Sequence, residues 1–417
     1  MDKTVSLGSV KGTITPPSSK SYAQRAIALS LLAEGRTVLR NIEFCKDTRS
    51  ALKCIEALGA KVTFIDERTI AIDGGLNPTS NTLYVGESGL ATRLFTPIAS
   101  LCKTPINIQG EGTLLYRPME MMIEPLRTLG VTVRDGGGFL PIEVQGPIHG
   151  GEVKVDGSIS SQFITGLLLA LPMAEEDTTL YVEDAVSTPY IDMTIDTAQR
   201  FGVEIMHNKG DYSEFFIEGR QKYMATDIAI EGDWSGASTM LVAGAIAGEV
   251  TVKNISTLSR QADTAICHAL ERAGAGIIIE HDAITISKRD LRAFEFDATN
   301  SPDLFPALAA LAAAAEGESR IIGTSRLRHK ESDRAETLRQ EYEKLGIEID
   351  ISEDNVMKIR GGEIQPAEVF SHNDHRIAMS LAASALRCKG DVKITAAECV
   401  EKSYPEFFDD LESITIR

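Results

Sequence analysis

The chain has 417 residues, of which 43% are hydrophobic and 24% charged, so it is long enough for two or three domains with separate cores. Its formal net charge of −18 argues against nucleic-acid binding over a broad surface. Its six cysteines include no C-x-x-C pair, which leaves zinc and iron–sulfur sites without support and favours a reducing cytoplasm. The longest apolar run, 304–315, is far short of the ~20 residues that span a bilayer. We expect a cytoplasmic protein that binds neither nucleic acid nor membrane.

The first predicted helix follows Ser18 and Ser19 in the stretch PPSSKSYAQRAIALSLLAEG. Lys20 and Arg25 fall in or near its first turn, where unpaired N–H groups already make the helix end electropositive. Either these cations point into water, or an anion binds at this helix end, held by amides and cations together. This stretch alone leaves both interpretations open.

Five glycines mark predicted helix ends at a nearly constant spacing. Each is followed by strand-like residues, and the gaps between them are 71, 72, 72 and 72 residues: Gly59, Gly130, Gly202, Gly274 and Gly346. A period this long indicates duplicated βα units rather than a short solenoid repeat.

A second series of residues marks the starts of six apolar helices. A small polar residue precedes each helix: Ser19, Ser88, Ser160, Ser235, Ser301 and Asn373. These helices are apolar on nearly all faces and should be buried on all sides. The strands after the glycines alternate, so one face of each should meet water. A doubly wound sheet would show the reverse. The pattern predicts an α/β fold with helices inside and sheets outside, in two domains of three units.

Polar residues cluster near these helix starts. In chain order the motifs are SSKSYAQR, GESGLATR, YRPMEMMIEPL, DGSISSQF, STPYIDMT, TNSPDLF, LRHKESDRAETL, HNDHRIAMS and EKSYPEFF. Each alone has a plain structural explanation, such as a helix starting at Pro118, a solvated ion-pair helix around Lys330 and Arg334, or a surface position for His375 and Lys402. If the buried helices of a domain run parallel, however, their positive ends converge and suit a multiply charged anion.

Taken together and in order, the motifs resemble those of the 5-enolpyruvylshikimate-3-phosphate synthase family over nearly the whole chain. KESDR followed by NDHR is the most specific part of the resemblance. The resemblance implies two domains, each with three βαβαββ repeats, helices inside and sheets outside, which is the inside-out α/β barrel of the enolpyruvyl transferases. It implies one domain from residues 1–18 plus 230–417 and another from 19–229, with the active site in the interdomain cleft.

The resemblance also implies a reaction. The family transfers the enolpyruvyl group of phosphoenolpyruvate to the 5-hydroxyl of shikimate 3-phosphate and releases phosphate, a step toward chorismate and the aromatic amino acids. The two small-molecule substrates are the expected partners, and no metal or other cofactor is expected. We also expect a monomer.

Family roles map onto this chain residue by residue. The catalytic residues implied are Asp303 for the proton of the attacking hydroxyl, Lys20 as its helper, Glu331 for the methylene carbon, and His375 to orient or assist. Those implied for shikimate 3-phosphate are Lys20, Ser21, Arg25, Ser160, Ser161, Gln162, Ser187, Tyr190, Asp303 and Lys330. Those implied for phosphoenolpyruvate are Lys20, Gly89, Arg93, Arg117, Gln162, Arg334, Arg376 and Lys402.

The chain departs from the family at GESGL, where many members read Gly-Asn-Ala/Ser-Gly-Thr. Glu87 replaces an amide and Leu90 replaces a hydroxyl residue. If both side chains face the substrate, they should weaken binding of phosphoenolpyruvate and, more strongly, of the family's inhibitor glyphosate. The alternative is that both side chains turn away, with Glu87 simply favouring the helix N-terminus.

Three other interpretations compete with this one. The sister enzyme that transfers enolpyruvyl to UDP-N-acetylglucosamine carries a reactive cysteine before its Arg-Pro, whereas the loop here, QGEGTLLYRP, has none. A non-catalytic anion-binding protein on the same scaffold is disfavoured by the presence of Asp303, Glu331 and Lys20. An RNA-end-processing enzyme of related fold is disfavoured by the acidic balance.

Overall fold

The computed structural model describes residues 1–208, 210–328 and 330–416. Its α-helices are α1 (Lys20–Leu32), α2 (Lys46–Ala57), α3 (Gly89–Ala99), α4 (Ile123–Thr128), α5 (Ser161–Ala170), α6 (Thr188–Arg200), α7 (Trp234–Ala247), α8 (Ile266–Ala273), α9 (Phe305–Ala314), α10 (Arg334–Lys344), α11 (His375–Ala385) and α12 (Phe407–Ile414). His329, within the motif LRHKESDR, lies outside the described residues.

The strands are short. They are β1 (Lys3–Ser6), β2 (Ser9–Ile14), β3 (Ala33–Glu34), β4 (Arg36–Arg40), β5 (Lys61–Phe64), β6 (Ile70–Asp73), β7 (Thr82–Tyr84), β8 (Ile106–Gln109), β9 (Thr132–Asp135), β10 (Ile142–Gln145), β11 (Gly151–Asp156), β12 (Thr178–Glu183), β13 (Met206–His207), β14 (Glu214–Ile217), β15 (Tyr223–Met224), β16 (Asp227–Ala229), β17 (Gly248–Lys253), β18 (Gly276–Ile279), β19 (Ala283–Ser287), β20 (Glu295–Asp297), β21 (Glu318–Ile322), β22 (Glu348–Asp350), β23 (Val356–Arg360), β24 (Ala367–Phe370), β25 (Asp391–Thr395) and β26 (Thr415–Ile416).

The chain divides into two units, each with its own hydrophobic core. One unit is residues 18–230 and the other is residues 1–17 together with 231–417. The second unit is therefore discontinuous, since its first two strands precede the other unit in the sequence.

The 18–230 unit contains three four-stranded sheets of one topology. Their orders are β16-β4-β6-β5, β7-β8-β10-β9 and β11-β12-β14-β13. In each sheet the first two strands are parallel and the remaining neighbours are antiparallel. The first sheet takes β16 from the end of the unit, so residues 227–229 complete a sheet that begins at 36–40. This repetition agrees with the 72-residue spacing of the sequence.

The discontinuous unit repeats the same pairing. Its sheets have the orders β18-β19-β17-β2-β26, β20-β21-β23-β22 and β1-β25-β24. Each again contains a parallel pair, β2 with β17, β20 with β21 and β24 with β25. Because β2 pairs with β17 across more than 200 intervening residues, the N-terminal strands anchor the two separate parts of this unit to each other.

The six apolar helices are buried, as their sequences predict. Every residue of α3, α7 and α11 is buried, and so are nearly all residues of α1, α5 and α9. Helices that carry no polar face cannot lie at a water-exposed surface without losing the burial of apolar area that stabilises them. The prediction of helices buried on all sides is confirmed.

The helix-end glycines are also confirmed. All five adopt left-handed backbone conformations, with φ between 81° and 113°. Four of them come one residue after the C-cap, and Gly274 is itself the C-cap of α8. A residue with a side chain is strained in this conformation, which explains why glycine recurs at this place in the repeat.

Some predicted helix starts are wrong. Asp233 caps α7, accepting from the backbone N–H groups of Ser235 and Gly236, and Asp374 caps α11, accepting from that of Arg376. A carboxylate is the stronger cap where the helix end is electropositive. Asn373 has a φ of 55°, outside the helix.

Three further expectations about local structure also fail. Ser301 precedes a 3₁₀ turn, Pro302–Leu304, rather than an α-helix directly. The helix after YRPM begins at Ile123, not at Pro118. Helix α10 begins at Arg334, so Lys330 and Glu331 lie before the helix rather than on its face.

Candidate functional site

Lys20 is the first residue of α1, and Ser19 is the N-cap of that helix. The Ser19 hydroxyl accepts a hydrogen bond from the N–H of Tyr22 at 3.4 Å. The Lys20 ammonium pairs with Asp47 at 3.0 Å, and only 13% of its side chain is exposed. Asp47 lies in the first turn of α2, where a carboxylate is favoured. This pair places a partly buried cation beside an electropositive helix end, an arrangement that attracts anions.

Arg25 is buried one and a half turns into α1. Its guanidinium donates to Thr194 Oγ1 at 2.9 Å, to the Ser21 carbonyl at 2.8 Å, to Thr165 Oγ1 at 3.1 Å and to the Tyr190 carbonyl at 3.2 Å. These partners are neutral oxygens, and burial lowers the pKa of Arg25 to about 10, so it remains charged at neutral pH. The Tyr190 ring centroid lies 6.0 Å from the guanidinium carbon.

Two more arginines meet at the start of α3. A methyl group placed on Gly89 would lie 2.8 Å from Arg117 Nη1 and 3.0 Å from Arg93 Nη1. Arg93 also donates to Gln162 Oε1 at 3.0 Å and to the Pro118 carbonyl at 3.3 Å. Both arginine side chains are buried, so two guanidinium groups face the glycine backbone at a helix N-terminus. This is the donor set that a phosphate or carboxylate requires.

The serines predicted to bind substrate lie at two other helix starts of the same unit. Ser160 caps α5 and accepts from the N–H of Gln162 at 3.2 Å. Ser161 is the first residue of α5 and is buried. Ser187 precedes α6 in a left-handed conformation, φ 55°, which is uncommon for a residue with a side chain. Strained backbone of this kind is frequent at ligand sites.

Glu87, where the sequence departs from the family, is engaged locally. Its carboxylate accepts from the backbone N–H of Thr113 at 3.2 Å, and a methyl group on Gly112 would collide with it. Leu90 is buried in the first turn of α3. The expected effect of both residues on glyphosate stays a prediction.

In the discontinuous unit, Arg334 is the centre of a charged cluster. Its fully buried guanidinium donates to Asp374 at 2.7 Å, to Asp303 at 2.7 Å and to Glu331 at 2.8 Å. Three carboxylates hold the pKa of Arg334 well above its usual range despite the opposing effect of burial. Arg334 thereby fixes the two predicted proton-transfer carboxylates in one place. The alternative explanation of this motif, a solvated ion-pair helix, does not hold, because the start of α10 is buried at Arg334.

Asp303 contacts two further cations. Lys330 Nζ lies 3.3 Å from it and Arg376 Nη2 lies 3.4 Å from it. Burial disfavours the charged form of Asp303, but Arg376, Lys330 and Arg334 outweigh that effect and hold its pKa well below the usual range. Burial lowers the pKa of Lys330, an effect that Asp303 partly offsets. Asp303 is therefore an ionised acceptor surrounded by positive charge.

Glu331, His375 and Lys402 complete this cluster. Lys402 Nζ lies 3.9 Å from Glu331, and 7% of the Lys402 side chain is exposed. His375 is fully buried at the first position of α11, with Nδ1 3.9 Å from Asp374. The alternative of surface positions for His375 and Lys402, which each motif alone had allowed, does not hold. His375 is buried at the start of α11, and Lys402 is buried at the end of the 3₁₀ helix Ala397–Lys402.

Sequence reasoning missed several polar residues that hold these groups. Asp47 pairs with Lys20, and Asp374 pairs with Arg334 and Ser332. Ser235 accepts from Arg376, and Asp263 accepts from Ser235. Asp374 stands in the motif NDHR, and Ser235 marks one of the six predicted helix starts, so the sequence held a usable signal for both. Asp47 and Asp263 stand in segments that carry no recognisable motif.

The described part of the chain holds neither a membrane-spanning helix nor a cluster of metal-ligating side chains. In residues 1–208, 210–328 and 330–416, no helix is long and apolar enough to cross a membrane. In the same part of the chain, no group of three or more His, Cys, Asp or Glu side chains could hold a metal ion.

Known proteins of similar sequence and structure agree on one family. The family model of EPSP synthase (3-phosphoshikimate 1-carboxyvinyltransferase) matches residues 6–411. The chain is 37% identical to the 3-phosphoshikimate 1-carboxyvinyltransferase of Clostridium perfringens, over 97% of this chain and 96% of the relative. It is 38% identical to the protein of the same name from Methanosarcina acetivorans, over 100% and 98% of the two chains.

Solved structures extend the comparison to the fold. EPSP synthase from Acinetobacter baumannii has a TM-score of 0.84 and 28% identity, covering 99% of this chain and 98% of that one. The enolpyruvyl transferase NikO from Streptomyces tendae shares the fold, with a TM-score of 0.79 at 17% identity and 99% coverage of both chains. With its repeated α/β units and its cation clusters at helix starts, the chain belongs to the EPSP synthase (3-phosphoshikimate 1-carboxyvinyltransferase) family.

Proposed function

We propose that the clusters around Arg25, Arg93 and Arg334 hold the substrates of the family's reaction. The chain transfers the enolpyruvyl group of phosphoenolpyruvate to the 5-hydroxyl of shikimate 3-phosphate and releases phosphate, a step in the biosynthesis of chorismate and the aromatic amino acids. The observation that carries the assignment of residues is the buried Arg334, which holds Asp303 and Glu331 together.

Phosphoenolpyruvate is proposed to bind where guanidinium groups are concentrated. It carries a phosphate and a carboxylate, and arginine can bind two oxygens of either group at once. The proposed ligands are Lys20, Gly89, Arg93, Arg117, Gln162, Arg334, Arg376 and Lys402. The closeness of Arg93 and Arg117 to the Gly89 backbone supports one part of this set, and the Arg334–Arg376 cluster supports the other.

Shikimate 3-phosphate is proposed to bind Lys20, Ser21, Arg25, Ser160, Ser161, Gln162, Ser187, Tyr190, Asp303 and Lys330. Arg25 and Tyr190 are already joined by a hydrogen bond and a cation–π contact. Serine hydroxyls at helix starts can donate to phosphate oxygens while the backbone N–H groups attract the same charge. A single active site would thus draw side chains from both units.

The reaction moves one proton from the attacking hydroxyl and adds another to the methylene carbon. We propose that Asp303 takes the hydroxyl proton as the 5-oxygen bonds to C2 of phosphoenolpyruvate, while Glu331, which takes up a proton from water when the anionic substrates bind, gives that proton to C3. Glu331 then removes a proton from the new methyl group as the carbon–oxygen bond to phosphate breaks, and the phosphate leaves with the proton held by Asp303, helped by Lys20. His375 orients Asp374 and the start of α11.

The charge balance around Asp303 suits this role. In the unliganded protein, Arg376, Lys330 and Arg334 keep its pKa low, which keeps the carboxylate ionised and ready to accept a proton. Anionic substrates that bind these cations offset part of their charge, so the pKa of Asp303 should rise on binding. A base whose affinity for the proton rises only with substrates bound is matched to its task.

The proposal extends to the division of the chain into domains. We propose two domains, 1–18 plus 230–417 and 19–229, each an inside-out barrel of three βαβαββ repeats, with the active site formed by both. The repeated parallel pairs and the buried helices support the three-fold repetition within each unit. The monomeric state and the cytoplasmic location stay predictions.

A phosphate-release assay tests the function. Purified protein with phosphoenolpyruvate and shikimate 3-phosphate should release phosphate, and the organic product should carry the enolpyruvyl group by mass spectrometry. UDP-N-acetylglucosamine as acceptor should give none. The proposal would be overturned if phosphate were released only with UDP-N-acetylglucosamine as acceptor. It would also be overturned if neither acceptor supported phosphate release.

A further inference from the structure

Arg376 is a buried cation in an unfavourable place. It is the second residue of α11, where the helix N-terminus is already electropositive, and 9% of its side chain is exposed. A buried guanidinium needs carboxylate partners to offset the loss of hydration. The carboxylates within reach therefore decide where this group can lie.

Its direct carboxylate partner, Asp303, is shared with Arg334. Asp303 lies 3.4 Å from Arg376, farther than from Arg334 at 2.7 Å. In the proposed reaction Asp303 also loses its negative charge when it takes the hydroxyl proton. Asp374, the cap of the same helix, is held by the Arg334 side chain at 2.7 Å. Arg376 thus depends on further negative charge during the reaction, and the charges of Asp263 and Asp233 both act on it.

On its other side, the Arg376 guanidinium is connected to a second carboxylate through a serine hydroxyl. Arg376 Nη1 donates to the Ser235 hydroxyl oxygen, and the Ser235 hydroxyl donates to Asp263 Oδ2. Ser235 lies in the first turn of α7, and Asp263 lies in the 3₁₀ helix Ala262–Ala265. Both side chains are buried, Asp263 with 1% exposed. One hydroxyl therefore connects the arginine to a second buried carboxylate.

We infer that Ser235 and Asp263 are positioning residues that hold the Arg376 guanidinium against phosphoenolpyruvate and keep a negative charge coupled to it while Asp303 is protonated. The inference rests on the proposed function, since it assigns Arg376 to that substrate. We call the chain of contacts Asp263–Ser235–Arg376 the relay. Because the relay ends at the side chain that binds phosphoenolpyruvate, the inference predicts a specific effect on the KM for that substrate.

The charge on Asp263 changes near pH 6, within the range in which enzyme kinetics can be measured. Burial, followed by the negative charge of Asp303, raises the pKa of Asp263 to about 6, while Arg376 and the Ser235 hydrogen bond oppose the rise and Asp233 adds to it. Above about pH 6 the Asp263 carboxylate is charged, and below that pH it is neutral. The relay should therefore act fully only above about pH 6.

Two variants and one control test the relay by steady-state kinetics. Asp263→Asn keeps a hydrogen-bond acceptor for Ser235 but removes the charge, and Ser235→Ala removes the connecting hydroxyl. Each should raise KM for phosphoenolpyruvate about tenfold at pH 7.5, because Ser235→Ala loses a hydrogen bond to a charged group and Asp263→Asn loses the charge itself, with KM for shikimate 3-phosphate unchanged. Asp282→Asn, in an exposed turn of the same unit, is the matched control and should match the wild type.

The pH dependence separates positioning from a structural role. The ratio of KM for phosphoenolpyruvate in Asp263→Asn to that in the wild type cancels the titration of the substrate. This ratio should be largest above about pH 6 and fall toward one below it, because the wild-type carboxylate is then neutral as well. A structural defect would give a ratio that does not follow this titration.

Three results would overturn the inference. They are an unchanged KM for phosphoenolpyruvate in both variants, a KM ratio independent of pH, and equal increases in both KM values together with a lower Tm. Each of these can be read only with an active wild type, so it leaves the proposed function standing. A wild type with no turnover on these two substrates would overturn the proposed function and this inference together.

Discussion

At the residue scale, the central feature is that carboxylates and cations form buried ion pairs close to helix starts. Arg334 contacts Asp303, Glu331 and Asp374 while fully buried. Removing one carboxylate from such a cluster leaves positive charge without a partner, which is costly in a buried site. Changes here should therefore affect both turnover and stability.

Loss of either proton-transfer group should greatly reduce turnover. Asp303→Asn and Glu331→Gln should each lower kcat by roughly 10²-fold or more, the usual contribution of a positioned acid or base. Glu343→Gln, on the exposed face of α10, is the matched control and should keep wild-type kcat. Near-native kcat in both site variants would show that the proton roles are misassigned.

Asp303 should also contribute to stability in a pH-dependent way. Its pKa is lowered on folding, so its contribution is present above the aspartate pKa of an unfolded chain, ~3.9, and is lost as pH falls through the folded value. Asp303→Asn should therefore lower the unfolding free energy by a constant amount from pH 5 to pH 7. Urea denaturation at both pH values measures this difference, and an equal or higher stability of the variant would contradict the prediction.

The sequence could identify most single residues of the candidate site but not their partners. Motifs fixed Asp303, Glu331 and Arg334 because each stands beside a helix start with recognisable neighbours. Asp263 stands 28 residues from Ser235 and 113 residues from Arg376, and nothing in its own segment marks it. Partners brought together by packing leave no local signal, so burial and charge pairing had to be read from the structure.

At the scale of elements, glycine and helix caps define the repeat. The glycines were predictable because a left-handed residue after a helix is a local requirement that few residues other than glycine meet. The caps of α7 and α11 were misplaced by one or two residues because serine, asparagine and aspartate are all good caps. Neighbouring candidates in DWS and HND cannot be separated without the backbone.

The helix-end glycines should differ in how they tolerate alanine. At Gly202, φ is 84° and the nearest atom to a new methyl group would be Met224 Cγ at 3.6 Å, so Gly202→Ala should cost about 1–2 kcal/mol from backbone strain alone. At Gly59 the methyl group would also lie 2.3 Å from the Asn77 carbonyl oxygen. Gly59→Ala should cost clearly more.

Urea denaturation of the two alanine variants measures this difference. Both glycines lie in the 18–230 unit, so the comparison concerns a single core. An equal or smaller loss for Gly59→Ala would show that contact with Asn77 does not govern the site.

At the scale of the whole molecule, the proposed ligand set for shikimate 3-phosphate includes residues of both units. A ligand that binds only the folded protein stabilises it, by about 2.7 kcal/mol at a hundred times its Kd. Ser161→Ala in one unit and Lys330→Gln in the other should each weaken binding and reduce the rise in Tm that shikimate 3-phosphate causes.

Surface substitutions give the controls for this experiment. Ser158→Ala and Lys389→Gln change exposed residues, one in each unit, and should keep the full rise in Tm. If Ser161→Ala reduces the rise and Lys330→Gln does not, shikimate 3-phosphate binds without the discontinuous unit, and the proposal of a shared site is wrong.

The discontinuous unit has a consequence for the order of events during synthesis. Strand β1 pairs with β25, so Lys3 meets Ile394 and Ser6 meets Asp391. At about 5–20 residues per second on the ribosome, β1 waits roughly 20–80 s for its partner strand. The 18–230 unit is complete much earlier and can fold while the N-terminal strands are still unpaired. Nascent chains should therefore carry one folded unit behind an extended N-terminal tail, and the C-terminal half should close the second core only near the end of translation.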